Sequence, residues 1–549
     1  MNYADIFLAV LELAAAMGLY RLAGYAREVI STKWRICYVI PAIVCMAFTA
    51  FSGFEISMLG VYFGSVILLV GFVKDAVEPR RYSCIAAGAC VIISVVVCSV
   101  NPGYRAPDYV ADFKEGFETM RKHYILAQYK EIDWDFLYEE YLPQFEAADK
   151  DHDEVENALC WQSFCQEFHD GHVSYGTGKD TSRRANERFW GNDYGLSLMI
   201  LESGQTVAVN VEEGSQIAEA GIRNGTVITA WDGKSIEEAK AYRKTPFSGY
   251  ASRENELFYQ ALPVAGSGGE CVAITYLDEN GQEQTVTAKR IGTYADRLQN
   301  TFDILNQGVE AGNLSWSNLS DKTVCLRIKT MMYDRDSYDN GDHSRMKEEL
   351  QSRLLAFRQE GVTGLVLDLR SNAGGSAQFI MAIAELLAPE GKHVYAYDGV
   401  WDKDAKEYKL NPDTGNYEVG NGLTYEGENL WKGGRIVVLV NSETISAGDH
   451  LTQILSGYDN VTVMGFTPSN GSGQGVRGIT FSDGQLTYSA VPVLNEDGTI
   501  FVDSDASRIS QIMLDEKIPF DKNTVRALFD EGRDYMLEYA AEYLEKDGK

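Results

Sequence analysis

The sequence predicts a multidomain protein in which N-terminal transmembrane α-helices precede an α-helical module, a small β domain and a larger α/β domain. Three patterns predict this order. Apolar runs fill most of residues 1–101, short alternating strands follow Tyr194, and aliphatic strands alternate with helices from Thr323 onward. A chain of 549 residues is also too long for one hydrophobic core, so separate domains are expected.

Residues 1–101 form the expected transmembrane segment. Each apolar run approaches the roughly 20 residues that cross a bilayer as a helix. Glu12 interrupts the first run, and a charge near the middle of a membrane is costly unless it faces other helices. Three spans are therefore an alternative to four. The four runs are 3–22, 36–52, 56–73 and 83–100.

The short loops predict the orientation of these helices. Basic residues follow the first and the third run, so both basic loops lie on the same side of the membrane. They are Arg21, Arg27, Lys33, Arg35, Lys74, Arg80 and Arg81. The apolar runs predict a multi-pass protein of the cell membrane, and basic loops tend to face the cytoplasm. The lipid bilayer is then one partner, and everything after Asn101 lies outside the cytoplasm.

The charge of the chain argues against nucleic-acid binding. The formal net charge is -30, and nearly all of the acidic excess lies after residue 101. A surface of this sign repels a phosphate backbone and lacks the basic stripe that nucleic-acid binding requires. We therefore expect no nucleic-acid partner.

The cysteines outside the apolar segment show no metal-binding or dense disulfide pattern. They are Cys160, Cys165, Cys271 and Cys325, and none belongs to a CxxC pair of the zinc-binding kind. Cys160 and Cys165 are expected to be two core thiols on one helix. The sequence leaves a disulfide open, since the predicted location is oxidising, and it predicts no metal site.

Residues 102–189 are expected to form the helical module. Between Tyr109 and His169, aromatic and aliphatic side chains recur at the spacing of an amphipathic helix. Asp133 precedes one of these patterns and is a suitable N-cap, because its carboxylate can accept the free N–H groups of the first turn.

Residues 190–292 are expected to form the small β domain. The segment Gly214–Gly225, followed by Trp231-Asp232-Gly233, resembles the corresponding stretch of PDZ domains. This resemblance implies that a peptide adds as a strand beside a glycine-containing loop, whose N–H groups bind its terminal carboxylate. The matching loop residues are Gly195, Leu196 and Ser197.

Residues 293–521 are expected to form the α/β domain. Continuous aliphatic strands with crossover helices indicate a parallel sheet that is covered on both faces. The predicted strands are Val324–Ile328, Gly364–Leu369 and Arg435–Val440, and the predicted helices are Ser344–Gln359, Ala377–Leu387 and one that starts at Ser446. Residues 522–549 follow, with one acidic amphipathic helix predicted over Val525–Leu544.

Three fragments carry residues suited to acyl transfer. In Leu367–Gly375, paired glycines let backbone N–H groups approach a ligand closely. In Val440–Asp449, Ser446 follows a buried strand and begins a helix, where free N–H groups favour a developing oxyanion. Ser446 and Asp449 also match a helix-capping pattern. Phe168–Ser174 contains His172, one of seven histidines in the chain.

Together these fragments resemble the C-terminal processing peptidases and tricorn core proteases. The resemblance rests on Phe168–His172, the PDZ-like insert, Val366–Gly375 and Val440–Asp449, which follow one another in the family's order. It implies a ClpP/crotonase-like catalytic core and identifies Ser446 as the nucleophile.

The family contains two catalytic designs, and the sequence favours one of them. One branch uses a lysine beyond the serine, but no lysine occurs between Lys432 and Lys517. The other branch takes its base from an upstream histidine, a position that His172 matches. The acid that orients this histidine lies in a later segment, where Asp503 and Asp505 are both candidates.

The resemblance implies an acyl-enzyme mechanism. His172 removes the hydroxyl proton of Ser446 as the serine attacks a peptide carbonyl. The N–H groups of Ala447 and of Gly374 or Gly375 hold the oxyanion. No metal or organic cofactor is needed.

The expected function is a membrane-anchored, extracytoplasmic serine endopeptidase that hydrolyses proteins or peptides, with their C-terminal tails as candidate recognition elements. The alternative is a catalytically inactive receptor or scaffold that binds peptides through the PDZ-like and peptidase-like regions. The missing lysine gives weight to this alternative.

Overall fold

The computed structural model describes residues 107–241, 249–306 and 313–546. All described helices and strands belong to one compact unit, Tyr109–Lys549. The predicted transmembrane segment, residues 1–101, lies outside the described residues. Among the helices of the described ranges, none combines the length and the apolar character needed to cross a bilayer.

An aromatic core holds the helical module together. Phe113 stacks on Phe145 with ring centroids 4.3 Å apart. Asp133 caps the second helix as predicted, since its carboxylate accepts the N–H of Phe136 at 3.0 Å. The elements of this module are α1 (Tyr109–His123), α2 (Trp134–Asp151), α3 (Glu154–Gln166), β1 (Ser174–Thr177) and α4 (Lys179–Trp190).

The β domain consists of short strands and short helices. They are β2 (Asn192–Asp193), β3 (Ser197–Ile200), β4 (Thr206–Val209), α5 (Gln216–Glu219), β5 (Ile228–Trp231), β6 (Lys234–Ser235), α6 (Ile236–Ala241), α7 (Arg253–Tyr259), α8 (Leu262–Ala265), β7 (Cys271–Leu277), β8 (Glu283–Lys289) and β9 (Gly292–Thr293). β3 and β4 form an antiparallel pair, and β6, β5, β7 and β8 form a four-stranded sheet in that order. The prediction of short strands after Tyr194 is therefore confirmed.

The α/β domain begins with a long helix and continues as alternating strands and helices. Its elements are α9 (Tyr294–Asn306), β10 (Leu314–Asn318), β11 (Thr323–Ile328), α10 (Arg335–Asn340), α11 (Ser344–Gln359), β12 (Gly364–Asp368), α12 (Ala377–Leu387), β13 (Gly391–Gly399), β14 (Trp401–Asp402), β15 (Glu407–Tyr408), β16 (Val419–Gly427), β17 (Arg435–Leu439), α13 (Ala447–Ser456), β18 (Val461–Gly465), β19 (Gly475–Thr480), β20 (Gly484–Val491), β21 (Val493–Leu494) and β22 (Glu516–Lys517).

The main sheet of this domain has the strand order β10-β11-β12-β17-β18-β22. All of its strands run parallel except β10, which is antiparallel to β11. The parallel sheet predicted from the aliphatic strands is confirmed. Away from this sheet, β1 pairs with β20, so the helical module shares a small sheet with the α/β domain.

The loops that follow β12 and β17, two neighbouring parallel strands of the main sheet, lie at the same edge of the sheet. Asp368, the last residue of β12, pairs with Leu439, the last residue of β17. The two loops that follow are joined directly, because Ile445 donates its N–H to the carbonyl of Asn372 at 3.0 Å. The parallel topology thus brings the glycine turn beside the serine loop.

The prediction of one helix over Val525–Leu544 is wrong. Two helices occupy this part of the chain, α14 (Lys522–Phe529) and α15 (Tyr535–Lys546). The connection contains Gly532 at φ 63°, a left-handed conformation that ends helices and suits glycine. Asp534 also pairs with the buried Arg370 at 2.7 Å, which fixes the break against the sheet.

The four cysteines of the described ranges are free thiols. Cys160 and Cys165 are buried in the helical module, which confirms that they are core thiols. Burial raises the pKa of the Cys160 thiol to about 12, so it has little thiolate character. Cys325 is also buried, and Cys271 is exposed.

Candidate active site

Ser446 occupies a strained turn between a buried strand and a helix. β17 ends at Leu439, α13 begins at Ala447, and Ser446 is the N-cap residue between them. Its backbone has φ 61° and ψ -120°, a conformation that glycine adopts far more readily than serine. A turn of this kind presents a short side chain at the head of a helix, as nucleophile turns of hydrolases do.

Asp449 caps the helix and anchors the backbone of Ser446. Its Oδ2 accepts the N–H of Ser446 at 3.1 Å. The same buried carboxylate accepts the N–H groups of Gly471 at 3.0 Å and of Ser472 at 3.1 Å. Burial raises the pKa of Asp449 to about 6, and these hydrogen bonds oppose that rise. The capping pattern seen in the sequence is therefore present and supports the turn.

The glycine turn lies directly against Ser446. A Cβ atom added to Gly374 would lie 2.6 Å from the Cβ and 3.0 Å from the Oγ of Ser446, and Gly374 has φ 77°. The N–H of Gly374 donates to Asn372 Oδ1 at 2.9 Å. The N–H of Gly374 is therefore engaged within its own turn, and the assignment of the oxyanion donor to Gly374 or Gly375 stays a prediction. The N–H of Ala447 belongs to the first turn of α13, whose N–H groups lack partners within the helix.

The loop that carries His172 reaches the serine turn through Ser472. Gly171 donates its N–H to Ser472 Oγ at 2.8 Å, and Ser446 donates its N–H to the carbonyl of Ser472 at 3.0 Å. His172 donates its backbone N–H to Asp170 Oδ1 at 2.8 Å. The structure therefore brings the two predicted catalytic segments together, with one residue between them.

Burial favours the neutral form of the His172 imidazole. Burial lowers its pKa, while the carboxylate of Asp170 and the carbonyl of Gln474 oppose that effect. Among the described residues, Nδ1 of His172 has no hydrogen-bond partner. A neutral imidazole with an unoccupied nitrogen suits a general base.

The two predicted orienting acids have other contacts. Asp503 is buried and forms an ion pair with Lys130 at 2.6 Å. Burial raises the pKa of Asp503, and Lys130 opposes the rise. Asp505 is exposed and accepts the N–H of Ser507 at 2.9 Å. The carboxylate that contacts the histidine loop is that of Asp170, so the choice of acid stays a prediction.

A second histidine, which none of the sequence motifs includes, lies beside the site. His450 lies one turn beyond Ser446 on α13 and is buried. Its Nδ1 hydrogen bonds with the hydroxyl of Tyr395, and burial lowers its pKa to about 4. The sequence could have indicated this histidine, because a residue four positions after Ser446 lies on the same face of a helix. Within the described ranges, no group of three or more histidine, cysteine, aspartate or glutamate side chains is arranged to hold a metal ion.

The predicted peptide-binding loop of the β domain makes contacts within the chain. Gly195, Leu196 and Ser197 are buried. The N–H of Gly195 donates to Asp193 Oδ1 at 2.7 Å, and Arg297 pairs with the same oxygen at 2.6 Å. An internal carboxylate therefore takes the N–H of Gly195, one of the loop donors that the PDZ resemblance assigns to a peptide terminus.

Comparison with known protein families covers two parts of the chain. Residues 322–505 match the model of Peptidase family S41, and residues 106–155 match that of the Tricorn protease C1 domain. The first match contains Ser446, both glycines of the turn and both candidate acids. The second contains Lys130, the partner of Asp503.

Curated relatives and solved structures agree with these matches. The chain is 25% identical over 337 residues to a probable CtpA-like serine protease of Staphylococcus aureus (strain N315). It is 23% identical over 339 residues to a protein of the same description from Staphylococcus haemolyticus (strain JCSC1435). Each alignment covers 61% of this chain and 55% of the relative, so the chain spans about half the length of these relatives.

The structure of mature CPAF is similar in fold, with a TM-score of 0.52 and 13% identity, covering 80% of this chain and 98% of that chain. At this identity the likeness concerns the fold alone. The domain matched by the family model is that of a serine-type peptidase, and the matches as a whole support the C-terminal processing group.

Proposed function

We propose that the protein is a membrane-anchored, extracytoplasmic serine endopeptidase that cuts proteins or peptides through an acyl-enzyme on Ser446. The observation that carries this proposal is the strained conformation of Ser446, at φ 61°, with Gly374 packed against its hydroxyl. Backbone strain of this kind persists where the surrounding structure enforces it, and it is concentrated at functional sites.

The neighbouring groups supply the remaining roles. Neutral His172 accepts the proton of Ser446 and later gives it to the leaving amine. The N–H groups of Ala447 and of Gly374 or Gly375 stabilise the oxyanion. Ser446 Oγ and the imidazole must reach hydrogen-bonding distance for this step, and such contacts commonly tighten only when substrate binds.

The experiment is active-site labelling combined with peptide hydrolysis. A fluorophosphonate probe should label Ser446 in the full chain, and Ser446→Ala or His172→Ala should abolish both labelling and hydrolysis. Ser442→Ala is the matched control, since Ser442 is a buried serine of the same loop whose hydroxyl contacts Tyr259. Full hydrolysis by Ser446→Ala would refute the proposal.

The membrane location rests on the apolar runs and basic loops of residues 1–101. Exposed Cys271 offers a direct test, because the other cysteines of the described ranges are buried. A membrane-impermeant maleimide should label intact cells that express the chain, and Cys271→Ser should remove that label. Labelling that requires cell lysis would place the peptidase region in the cytoplasm.

A catalytically inactive receptor is the second candidate. The observation that favours it is that Asp503 pairs with Lys130, while Nδ1 of His172 has no partner among the described residues. Peptide binding without probe labelling of Ser446 would support the receptor. Labelling that disappears in His172→Ala would support the enzyme.

A further inference from the structure

We infer that Ser472 is a positioning residue whose hydroxyl holds the His172 loop against the Ser446 turn, an inference that rests on the proposed function. Ser472 is fully buried. It lies in the segment between β18 and β19, far in sequence from the histidine loop, and no motif of the sequence singles it out.

Ser472 contacts the two halves of the site through different atoms. Its hydroxyl oxygen accepts the N–H of Gly171, the residue immediately before His172, at 2.8 Å. Its carbonyl oxygen accepts the N–H of Ser446 at 3.0 Å. One residue therefore links the proposed base and the proposed nucleophile.

The backbone of Ser472 is fixed independently of its hydroxyl. Its N–H donates to Asp449 Oδ2 at 3.1 Å, and it forms an antiparallel β-bridge with Asp503. Removing the hydroxyl therefore leaves the support of Ser446 in place and loosens the histidine loop at Gly171, next to His172.

Gly171 has no side chain with which to hold the histidine loop. A Cβ atom there would lie 2.4 Å from Asn470 Oδ1 and 2.6 Å from Ile445 Cδ1, closer than packed atoms approach. The attachment at this residue is therefore its N–H, and loss of the Ser472 hydroxyl leaves that part-buried N–H without its acceptor.

The loop is also anchored before Gly171. Asp170 Oδ2 accepts from the hydroxyls of Tyr124 and Ser489, and the carbonyl of His169 accepts from Lys130. The contact with Ser472 is the one made by the residue next to His172.

A released loop changes the surroundings of the imidazole. The groups that face it are Asp170 on its own loop, the carbonyl of Gln474 and His450 on α13. Burial is the main cause of the lowered pKa of His172. Access of water to the ring therefore raises the pKa of His172 toward its ordinary value, and the acid limb of the rate profile moves to higher pH.

The test compares Ser472→Ala with Ser504→Ala in the full chain. Ser504 is also fully buried, and its hydroxyl has no hydrogen-bond partner among the described residues. Ser472→Ala should lower kcat by about 10- to 100-fold with KM nearly unchanged, because the base is misplaced while substrate contacts persist. The acid limb of the kcat–pH profile of Ser472→Ala should shift to higher pH. Ser504→Ala should show neither change.

Ser472→Cys provides a graded variant, since sulfur is a larger and weaker acceptor than oxygen, and its kcat should fall between those of the unmodified chain and Ser472→Ala. Wild-type kcat with an unchanged pH profile in Ser472→Ala would overturn the inference. Activity in Ser446→Ala would instead show that the proposed function fails.

If Ser472→Ala does not fold, amide hydrogen exchange of the unmodified chain decides the question. A peptide covering 168–174 should show a Gly171 amide as protected as those of the neighbouring strands. Rapid exchange of that amide in the folded protein would overturn the inference.

Discussion

Gly374 lies so close to Ser446 that a Cβ atom on the glycine would sit 3.0 Å from the serine Oγ and 2.6 Å from its Cβ. The two residues follow different strands of the parallel sheet, and Ile445 ties their loops together by donating to Asn372. The space above the serine hydroxyl is thus bounded by backbone on both sides. A side chain at position 374 should therefore displace the side chain of Ser446 and lower the activity.

Gly374→Ala should reduce kcat by about 100-fold or more, because the added methyl displaces the Ser446 side chain and the oxyanion site beside it. The matched control is Gly433→Ala. Gly433 also has a positive φ, 72°, but a Cβ there would meet nothing within 4 Å. The control should share the backbone strain and keep its activity. Equal activity losses in both variants would point to strain rather than to the Ser446 contact.

Ser446→Gly should be more stable than Ser446→Ala by about 1–2 kcal/mol, since glycine adopts the φ of 61° without strain. Urea unfolding of the two inactive chains measures this difference. Ser352 lies exposed within α11, so the order should reverse there, with Ser352→Gly less stable than Ser352→Ala by about 1 kcal/mol. The same order at both positions would argue against strain at Ser446.

Asp449 should make the folded state lose stability as pH rises from 4 to 6. Burial raises the pKa of Asp449 to about 6 in the folded chain, whereas its ordinary value is 3.8. As pH rises, the carboxyl of Asp449 loses its proton in the unfolded chain before it does so in the folded chain. The stabilisation of the folded state by this carboxyl is therefore present below pH 4 and is lost by pH 6. The loss should be about 3 kcal/mol.

The measurement for Asp449 is urea unfolding at several pH values, with Asp449→Asn as the reference chain. The variant lacks this titration, so the difference in unfolding free energy between the two chains should decline across the interval. Contributions from His172 and His450 are common to both chains and cancel. A difference that is independent of pH would contradict the prediction.

Lys130→Met should destabilise the protein by about 3–5 kcal/mol, because it leaves the buried carboxylate of Asp503 unpaired. The double variant Lys130→Met/Asp503→Leu should recover most of that loss. Lys432 pairs with Glu390 at 3.3 Å on the surface, so Lys432→Met should cost less than about 1 kcal/mol. Thermal or urea unfolding tests all three. A double variant no more stable than the single one would contradict the ion-pair explanation.

The β domain should not distinguish a free peptide terminus from an amidated one. Asp193 already occupies the N–H of Gly195 and the Nε–H of Arg297. Asp193→Ala frees both donors, so it should acquire a preference for the free carboxylate of about 10-fold or more. Fluorescence anisotropy with paired peptides measures this, and Glu213→Ala is a control with the same charge change at an exposed position. A wild-type preference for the free terminus would contradict the internal occupancy.

Local patterns explain why much of the α/β domain was predictable. The helix Ala377–Leu387 has the predicted bounds, because its apolar period and its capping Ser376 are properties of neighbouring residues. The serine turn and the glycine turn were also visible, since each motif is continuous in sequence. The prediction of one helix over Val525–Leu544 was wrong because the chain breaks at Gly532, and the contact of Asp534 with Arg370 from a distant loop holds that break in place.

The sequence by itself determined the order of the elements, the motif residues and the absence of a lysine between Lys432 and Lys517. The tertiary structure decided which groups meet. It placed Ser472 between Ser446 and Gly171. It also paired Asp503 with Lys130, and it made Asp193 the acceptor of the Gly195 N–H. The physical reason is that the period of a helix or strand is set within a few residues. The partner of a buried polar group is instead set by the packing of segments that are far apart in the chain.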